Sequence, residues 1–518
     1  MQFNQVATDP RAFPSGRKLS EIVSDLPTVQ AYGPWDVMVA GVTTDSRRVD
    51  PGKLFVAIEG EHVDGHDYVQ EALERGASCV VVQLRQYQER LHELLTPAYC
   101  RHSGASVLVV HDTREAVAVL ADRFHSSPAC DLVLLGITGT NGKTTVSWLV
   151  SSILKAARMR HGLIGTVEYR TGNTARSAVW TTPPAEELHG LFAEMRAAGC
   201  KAVVMEVSSH ALALKRLHGV SFDVSLFTNL TQDHLDFHKT MAAYRDAKAL
   251  LFSSHTRGWG LLNGDDAASS SFSETLGKKR KYFGASGRPA FRMRDVKVSP
   301  RGTSMSIEHA GEVHRLRSAL IGAFNAYNLL AAFGAGILLG LNADVVLRGL
   351  RNVKSVPGRF ERICSADGVT AVVDYSHTPD SLSKALQTAR ELAGAGRVIT
   401  VFGCGGDRDQ AKRPMMGATA SALSDLVIIT SDNPRTEDPE AIINAIQRGI
   451  VDGSEVQTRI RRKSAIELAL NVARPGDIVL VAGKGHEDYQ IIGDRRKHFD
   501  DREVIRNYFD SRRGGTRT

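Results

Sequence analysis

The sequence predicts an α/β protein of three domains: a small N-terminal α/β domain, a central parallel sheet of the phosphate-loop ATPase type, and a C-terminal, Rossmann-like doubly wound sheet. Three observations carry this. A glycine-rich stretch at residues 136–145 lies between an apolar run and a helical pattern. Four apolar runs after residue 370 each end in a polar, glycine-rich loop. Finally, 518 residues, 42% hydrophobic and 23% charged, supply about three ordinary soluble domains with ample core.

The first domain is placed at residues 1–128. Residues 1–35 read as an irregular polar extension without the apolar stretch of a secretory signal. Beyond it, residues 54–58, 79–82 and 107–110 are apolar runs with strand character, and residues 68–74 follow a helical pattern. Thr43-Thr44-Asp45-Ser46-Arg47 precedes the first run, and Gly60-Glu61-His62-Val63-Asp64-Gly65-His66 follows it. Asp, Ser and Gly favour turns, so both strings suit plain turns as well as ligand loops.

The central domain, residues 129–355, opens on Gly136-Ile137-Thr138-Gly139-Thr140-Asn141-Gly142-Lys143-Thr144-Thr145. Residues 132–135 read as a buried strand before it; Val146, Leu149, Val150, Ile153 and Leu154 fall on one helical face after it. Strand, glycine-rich turn and helix together form a phosphate-binding loop, in which backbone N–H groups and the helix N-terminus meet phosphate oxygens. Lys143 is expected to reach the β- and γ-phosphates and Thr144 to ligate Mg²⁺. The common pattern puts its first glycine where this chain has Ile137. Two further runs, residues 202–207 and 223–230, end in Glu206-Val207-Ser208-Ser209-His210 and in Asn229 to His238. Ligands of open parallel sheets sit outside such strand ends, so Glu206 and His234 are candidates beside a Mg–nucleotide. The spacing of His234 and His238 also fits a transition-metal pair or a hydrogen-bonding role. Lys248, within a helical pattern over residues 242–252, reads as a solvated lysine.

The third domain, residues 356–518, repeats one plan. Runs at 371–373, 398–402, 426–430 and 478–482 lead into loops starting at Asp374, Gly403, Asp432 and Gly483. Continuous apolar runs mark strands buried on both faces. Loops this rich in Arg, Asp and His favour a binding site over bland connections.

Composition excludes little. The net charge of +7 has no long basic run behind it, and 6% aromatic residues give no platform for nucleic acid, so acidic small molecules account for it equally well. The six cysteines include no CxxC pair, which removes a zinc or disulfide framework and leaves a cytoplasmic setting as the default expectation. No run is long enough for a bilayer span.

These residues resemble the Mur ligases, ATP-dependent amide-forming enzymes of peptidoglycan precursor synthesis. The resemblance runs from about residue 38 onward. It includes Thr138 to Thr145, Glu206-Val-Ser-Ser-His, Asn229 to His238, Asn325-x-x-Asn328, Pro357-Gly-Arg359, Asp374-Tyr-Ser-His377-Thr-Pro and Asp432-Asn433-Pro434-Arg435. The last string is similar to that of the diaminopimelate-adding branch. The resemblance implies that Gly139, Thr140, Asn141, Gly142, Lys143, Thr144 and Thr145 hold the ATP phosphates, with Asn325 near the adenine and Arg359 and Asp374 on the nucleotide. Thr144, Glu206, His234 and a carbamylated Lys248 are implied for Mg²⁺, with Lys143, Glu206, His234 and Lys248 as the catalytic set. Thr44, Ser46, Thr181, Thr182, Ser208 and Arg216 are implied to hold a UDP-muramoyl dipeptide, with Glu61, His62 and Val63 on its nucleotide. Arg408, Asp432, Asn433, Pro434, Arg435, Gly483 and Glu487 are implied for the incoming meso-diaminopimelate. Closure of the third domain over the central one is expected to complete the site. Trp180 and Leu214 depart from the family pattern near the dipeptide. A monomer without nucleic-acid or membrane partners is expected. A lysine-adding Mur ligase, a folylpolyglutamate synthetase and a non-enzymatic nucleotide switch are the alternatives; the last has no need of so many charged loop residues.

Overall fold

A computed structural model describes residues 16–24, 26–60 and 63–514. The chain forms two compact units. The first comprises the chain up to Gly136, Met159–Ser225 and Leu250–Gly258; the second comprises Ile137–Arg158, Leu226–Ala249 and the chain from Trp259.

In the first unit, five strands form one sheet in the order Thr28–Tyr32, Ser106–Val110, Cys79–Gln83, Lys53–Val56 and Gly41–Thr43. The last four are parallel and Thr28–Tyr32 joins antiparallel. Alternation decides the layers. Val80, Val82, Val107 and Val109 pack with the helix Val69–Glu74, while Val81, Leu108 and Val110 pack with Thr113–Phe124 on the other face. Each such fully buried side chain is worth about 1.5–3 kcal/mol. Residues 1–15 of the expected irregular extension lie outside the described residues; over the described part of 16–35 the expectation is corrected, since Arg17–Lys18 pairs with Met38–Val39 and Thr28–Tyr32 is a sheet edge. An edge strand keeps polar residues on its open side, which hides it from an apolar-run reading. Four more strands of this unit run Thr174–Ser177, Glu168–Thr171, His161–Ile164 and Ala202–Glu206, the last pair parallel.

In the second unit, the helix Lys143–Ala156 buries Val146, Leu149, Val150, Ile153 and Leu154, the predicted face. The parallel strands Thr256–Asn263, Arg280–Gly284 and Phe291–Ser299 continue into the antiparallel strands Gly302–His309 and Glu312–Ser318. The C-terminal sheet has the order Glu361–Cys364, Thr370–Asp374, Ile478–Ala482, Val398–Phe402, Leu426–Thr430 and Val456–Arg459. All but the first strand are parallel. Val372, Leu480 and Val427 face the helices Pro379–Ala393, Lys412–Leu423 and Pro439–Gln447, while Val373, Val481 and Ile428 face Arg462–Val472 and Asp501–Gly514. The sheet is doubly wound, with its four predicted loops at the carboxyl ends. No helix among the described residues is long and apolar enough to cross a membrane.

Candidate active site

The phosphate loop is built on two glycines in backbone that side chains avoid, Gly139 at φ 144° and Gly142 at φ 89°. A Cβ at Gly139 would fall 1.9 Å from Thr228 Oγ1, and one at Gly142 2.5 Å from Asn328 Oδ1. The loop is therefore pressed against its support. Thr140 N–H donates to Asn229 O (2.8 Å), Asn141 N–H to Asn229 Oδ1 (3.0 Å), and the Thr228 hydroxyl to Asn141 O (2.6 Å). Lys143 starts the helix and lays its Nζ across the loop, donating to Gly139 O (2.8 Å) and Thr140 O (3.0 Å). Thr144 and Thr145 are buried beside it. N–H groups at a helix start with a lysine over them suit a chain of phosphates. Asn325 lies behind this loop: its Nδ2 donates to Ile321 O (2.8 Å) and its Oδ1 accepts from Asn328 Nδ2 (3.0 Å). Both its amide ends are engaged within the fold.

Lys248, on the helix Met241–Ser254, is only 1% exposed, so the solvated reading drawn from periodicity is corrected. Its Nζ donates to Gly139 O (3.1 Å) and stands 4.3 Å from the Tyr244 ring centre. Burial, and then the charge of Lys143, hold it well below the usual lysine range, against the opposing pull of Asp233. His234 sits in left-handed backbone at φ 56° and does not share a full helical face with His238, because only Leu235–His238 is helical. Its Nε2 is 3.4 Å from Asp233 Oδ2, which is 3.7 Å from His377 Nε2. Burial opposes the charge on Asp233, but pairing with His377 and the charges of His234, His377 and Lys412 hold its carboxyl far below the usual range. Among the described residues no cluster of three or more His, Cys, Asp or Glu side chains forms a ready metal cage. The Thr144 hydroxyl supplies an oxygen of the kind that a hard cation such as Mg²⁺ takes.

The C-terminal sheet reaches this loop. Arg359 Nη2 donates to Thr144 Oγ1 (2.9 Å), and Asn141 Nδ2 donates to Asp380 Oδ2 (3.1 Å). The Arg359 guanidinium stacks 4.4 Å from the Tyr375 ring centre, and its buried Nε lacks a hydrogen-bond partner among the described residues. Asp374 Oδ2 accepts from Phe360 N–H (2.7 Å), fixing the turn that carries Arg359. Burial pushes the Asp374 carboxyl up, in spite of Ser376 and Arg359. Replacing Arg359 by alanine is expected to raise the KM for a nucleoside triphosphate roughly ten- to hundredfold, the worth of a charged hydrogen bond at about 1.5–3 kcal/mol. An unchanged KM would remove Arg359 from the nucleotide site.

The remaining loops of that sheet converge. Asp432 and Asn433 are buried, and Lys484 is fully so. Asn433 Nδ2 donates to Glu487 Oε2 (2.9 Å), while its Oδ1 accepts from Lys484 Nζ (3.1 Å) and Ile491 N–H (3.0 Å). Burial, then the neighbouring charge of Asp432, push the Glu487 carboxyl up. A Cβ at Gly483 would meet Asp432 Oδ2 at 2.7 Å; one at Gly405 would meet Arg435 Nη1 at 3.1 Å and Arg408 Cγ at 3.8 Å. Arg435 holds φ 53°, a left-handed conformation rare for a long side chain, and its Nη1 donates to Gly406 O (2.6 Å). Pro434 O accepts from Glu437 N–H (3.1 Å). Arg408, Asp432, Asn433, Pro434, Arg435, Gly483 and Glu487 thus lie together at these loop ends, with Arg408 exposed at the margin.

The first unit carries its own constellation. Glu206, 1% exposed, accepts from Thr166 N–H and Thr166 Oγ1, both at 2.9 Å. Thr181 Oγ1 lies 3.1 Å from Thr166 Oγ1, and the Thr182 hydroxyl donates to Glu206 O (2.7 Å) while accepting from Ser208 N–H (3.0 Å). Arg216 Nη1 donates to Thr182 O (2.8 Å) with its guanidinium 5.1 Å from the Trp180 ring centre. Trp180 thus supplies a cation–π face. Burial lowers the Arg216 pKa from its usual value. Thr44 Oγ1 donates to Glu186 Oε1 (2.5 Å). Ser46 is buried at the head of the turn Ser46–Arg48; Val63 is exposed on its loop, and Glu61 and His62 lie outside the described residues. Sequence reasoning missed Thr166, Glu186 and Lys484. Thr166 was findable, because it follows the strand His161–Ile164 at its carboxyl end.

Three family models match: "Mur ligase family, catalytic domain" over residues 38–125, "Mur ligase middle domain" over 137–336, and "Mur ligase, glutamate ligase domain" over 358–485. The chain belongs to the Mur ligase family. It is 42% identical over 476 residues to the UDP-N-acetylmuramoyl-L-alanyl-D-glutamate–2,6-diaminopimelate ligase of Lactiplantibacillus plantarum, covering 90% of this chain and 93% of that protein. It is 44% identical over 475 residues to the enzyme of that name from Synechococcus elongatus, covering 91% and 94%. A solved structure of a UDP-N-acetylmuramoyl-L-alanyl-D-glutamate–2,6-diaminopimelate ligase superposes with TM-score 0.66 at 29% identity, covering 96% of this chain and 99% of that one.

Proposed function

We propose that this chain is the ATP-dependent ligase that joins meso-2,6-diaminopimelate to the D-glutamate γ-carboxylate of UDP-N-acetylmuramoyl-L-alanyl-D-glutamate, in peptidoglycan precursor synthesis. The observation that carries the reading is the Arg359–Thr144 hydrogen bond (2.9 Å), which ties the phosphate loop to the sheet bearing Asp432 to Arg435. Relatives at 42% and 44% identity bearing that name support it.

The γ-carboxylate oxygen attacks the γ-phosphorus of ATP, and ADP leaves. The diaminopimelate amine then attacks the acyl phosphate, losing a proton and releasing inorganic phosphate. Gly139, Thr140, Asn141, Gly142 and Thr145 wrap the phosphates, and Lys143 offsets the charge that spreads over the transferred group. Mg²⁺, held by Thr144, Glu206, carbamylated Lys248 and, through water, His234, would neutralise phosphate charge. Arg359 and Asp374 serve the nucleotide, with Asn325 supporting the loop. Thr44, Ser46, Glu61, His62, Val63, Thr181, Thr182, Ser208 and Arg216 serve the UDP-linked substrate. Exclusion of water preserves the acyl phosphate until the amine arrives. The reading includes three functional domains bounded near residues 128 and 355, and a monomer acting in the cytoplasm.

Phosphate release from ATP and Mg²⁺ with the UDP-linked dipeptide, comparing meso-diaminopimelate with L-lysine, tests it. Release only with diaminopimelate, with the tripeptide product, is expected. Release with lysine alone would overturn the substrate, and amino-acid-independent behaviour would overturn the ligase.

A further inference from the structure

A buried ion pair underlies the amino-acid loops. Arg462 begins the helix Arg462–Val472 and is 1% exposed; Asp501 begins Asp501–Gly514 and is 0% exposed. They pair in bidentate fashion, Nε to Oδ1 at 2.8 Å and Nη2 to Oδ2 at 2.7 Å. Nη2 also donates to Ala482 O at 2.9 Å, the last strand residue before Gly483. Nη1 is buried without a hydrogen-bond partner among the described residues, and it stands 4.0 Å from Asp432 Oδ2. Although burial disfavours the guanidinium charge, Asp501 and Asp432 sustain it.

Burying such a pair is costly, and an apolar pair of similar volume commonly stabilises as well or better. Stability alone therefore does not account for it; orientation does. Asp501 fixes the guanidinium plane, Ala482 fixes the strand end, and the remaining donor faces Asp432. The carboxyl groups of Asp432 and Glu487 stand together at the loop ends above this pair, with Lys484 Nζ 3.2 Å from Glu487 Oε2. Carboxyl oxygens are the natural acceptors for an ammonium group.

We propose that Arg462, oriented by Asp501, is a positioning residue of the amino-acid site, setting the Asp432 carboxylate and the start of the Gly483 loop for the ammonium of the incoming diamino acid. This rests on the assignment of Asp432 and Glu487 to that substrate. The test uses the full chain and the variants Arg462→Met, Asp501→Leu, their double, and Arg462→Lys. Either apolar single variant is expected to lower the melting temperature, since it strands a buried charge. The double variant is expected to regain melting near the wild type, yet keep a KM for diaminopimelate raised roughly ten- to hundredfold, with the KM for ATP within about twofold. Arg462→Lys, which keeps the charge but not the fork, should raise the same KM with kcat little changed. Recovery of the diaminopimelate KM together with stability in the double variant would overturn the proposal, as would a normal KM in Arg462→Lys. Wild-type protein without diaminopimelate-dependent release would overturn the site assignment itself; a responsive wild type with unmoved variants overturns this inference alone.

Discussion

Arg435→Ala is expected to lose nearly all diaminopimelate-dependent turnover while still binding a non-hydrolysable ATP analogue with unchanged affinity. Removing one partner of a desolvated charge pair costs about 2–5 kcal/mol, which lowers kcat/KM roughly thirty- to several-thousandfold. Diaminopimelate differs from lysine by a second zwitterionic centre, and a guanidinium can grip its carboxylate through two parallel N–H bonds. The backbone of Arg435 is pinned on both sides: φ is 53°, its N–H donates to Ile491 O (3.2 Å), and its carbonyl accepts from Gly493 N–H (2.8 Å). Arg435→Lys should fail almost as badly, because an ammonium keeps the charge without the planar fork. The same reasoning predicts rejection of L-lysine by the wild type, which would leave the arginine without its partner. Steady-state rates with both amino acids, beside calorimetric titration of the analogue, decide the matter. Wild-type turnover in Arg435→Ala would dismiss the residue as a determinant.

Lys248→Ala is expected to lower kcat by about two to three orders of magnitude, the scale of removing one group that stabilises developing charge. The side chain has no room to act as a solvated cation. It is 1% exposed and 3.1 Å from Gly139 O, and burial and the charge of Lys143 hold its pKa well below the usual lysine range. Reaction with CO₂ would replace the amine with an anionic group bearing two oxygens, at the foot of the phosphate loop. Arg cannot form a carbamate, so Lys248→Arg should be as inactive as Lys248→Ala; a purely cationic role would let arginine recover activity. A carbonyl signal from ¹³C-enriched bicarbonate, present in the wild type and lost in both variants, is the independent readout. Activity in Lys248→Arg would sink the carbamate.

Much of the fold was legible because it rests on runs buried from both sides. The strands Val398–Phe402, Leu426–Thr430 and Ile478–Ala482 fall on the predicted residues, since sheets covered by helices leave no polar alternation to blur their limits. Edges were illegible for the converse reason. The edge strand Glu361–Cys364 alternates half-buried and exposed residues, and Phe291–Ser299, though paired on both sides, carries a run of exposed ones, so neither shows as an apolar run. Site chemistry divided in the same way. The phosphate loop is contiguous, and its glycines announce its geometry. Lys248 is not: periodicity tells which residues share a face but not whether another segment covers it. Arg462 at a helix start looks solvated, and its partner lies 39 residues away. Arg359 and Asp380, far from the phosphate loop in sequence, touch it in the fold, which no local pattern announces.

The hairpin Tyr489–Ile492 and Arg495–His498 has a bearing on how specificity can be moved between enzymes. Gln490 Nε2 donates to Asp432 O (2.6 Å), Ile491 N–H to Asn433 Oδ1 (3.0 Å), and the backbone of Arg435 bonds on both sides of Ile492. The Asp-Asn-Pro-Arg string owes its shape to this second segment as much as to its own letters. Grafting the four residues alone into a lysine-adding scaffold would transplant the side chains without the mould that sets them; the portable module is the string together with its hairpin.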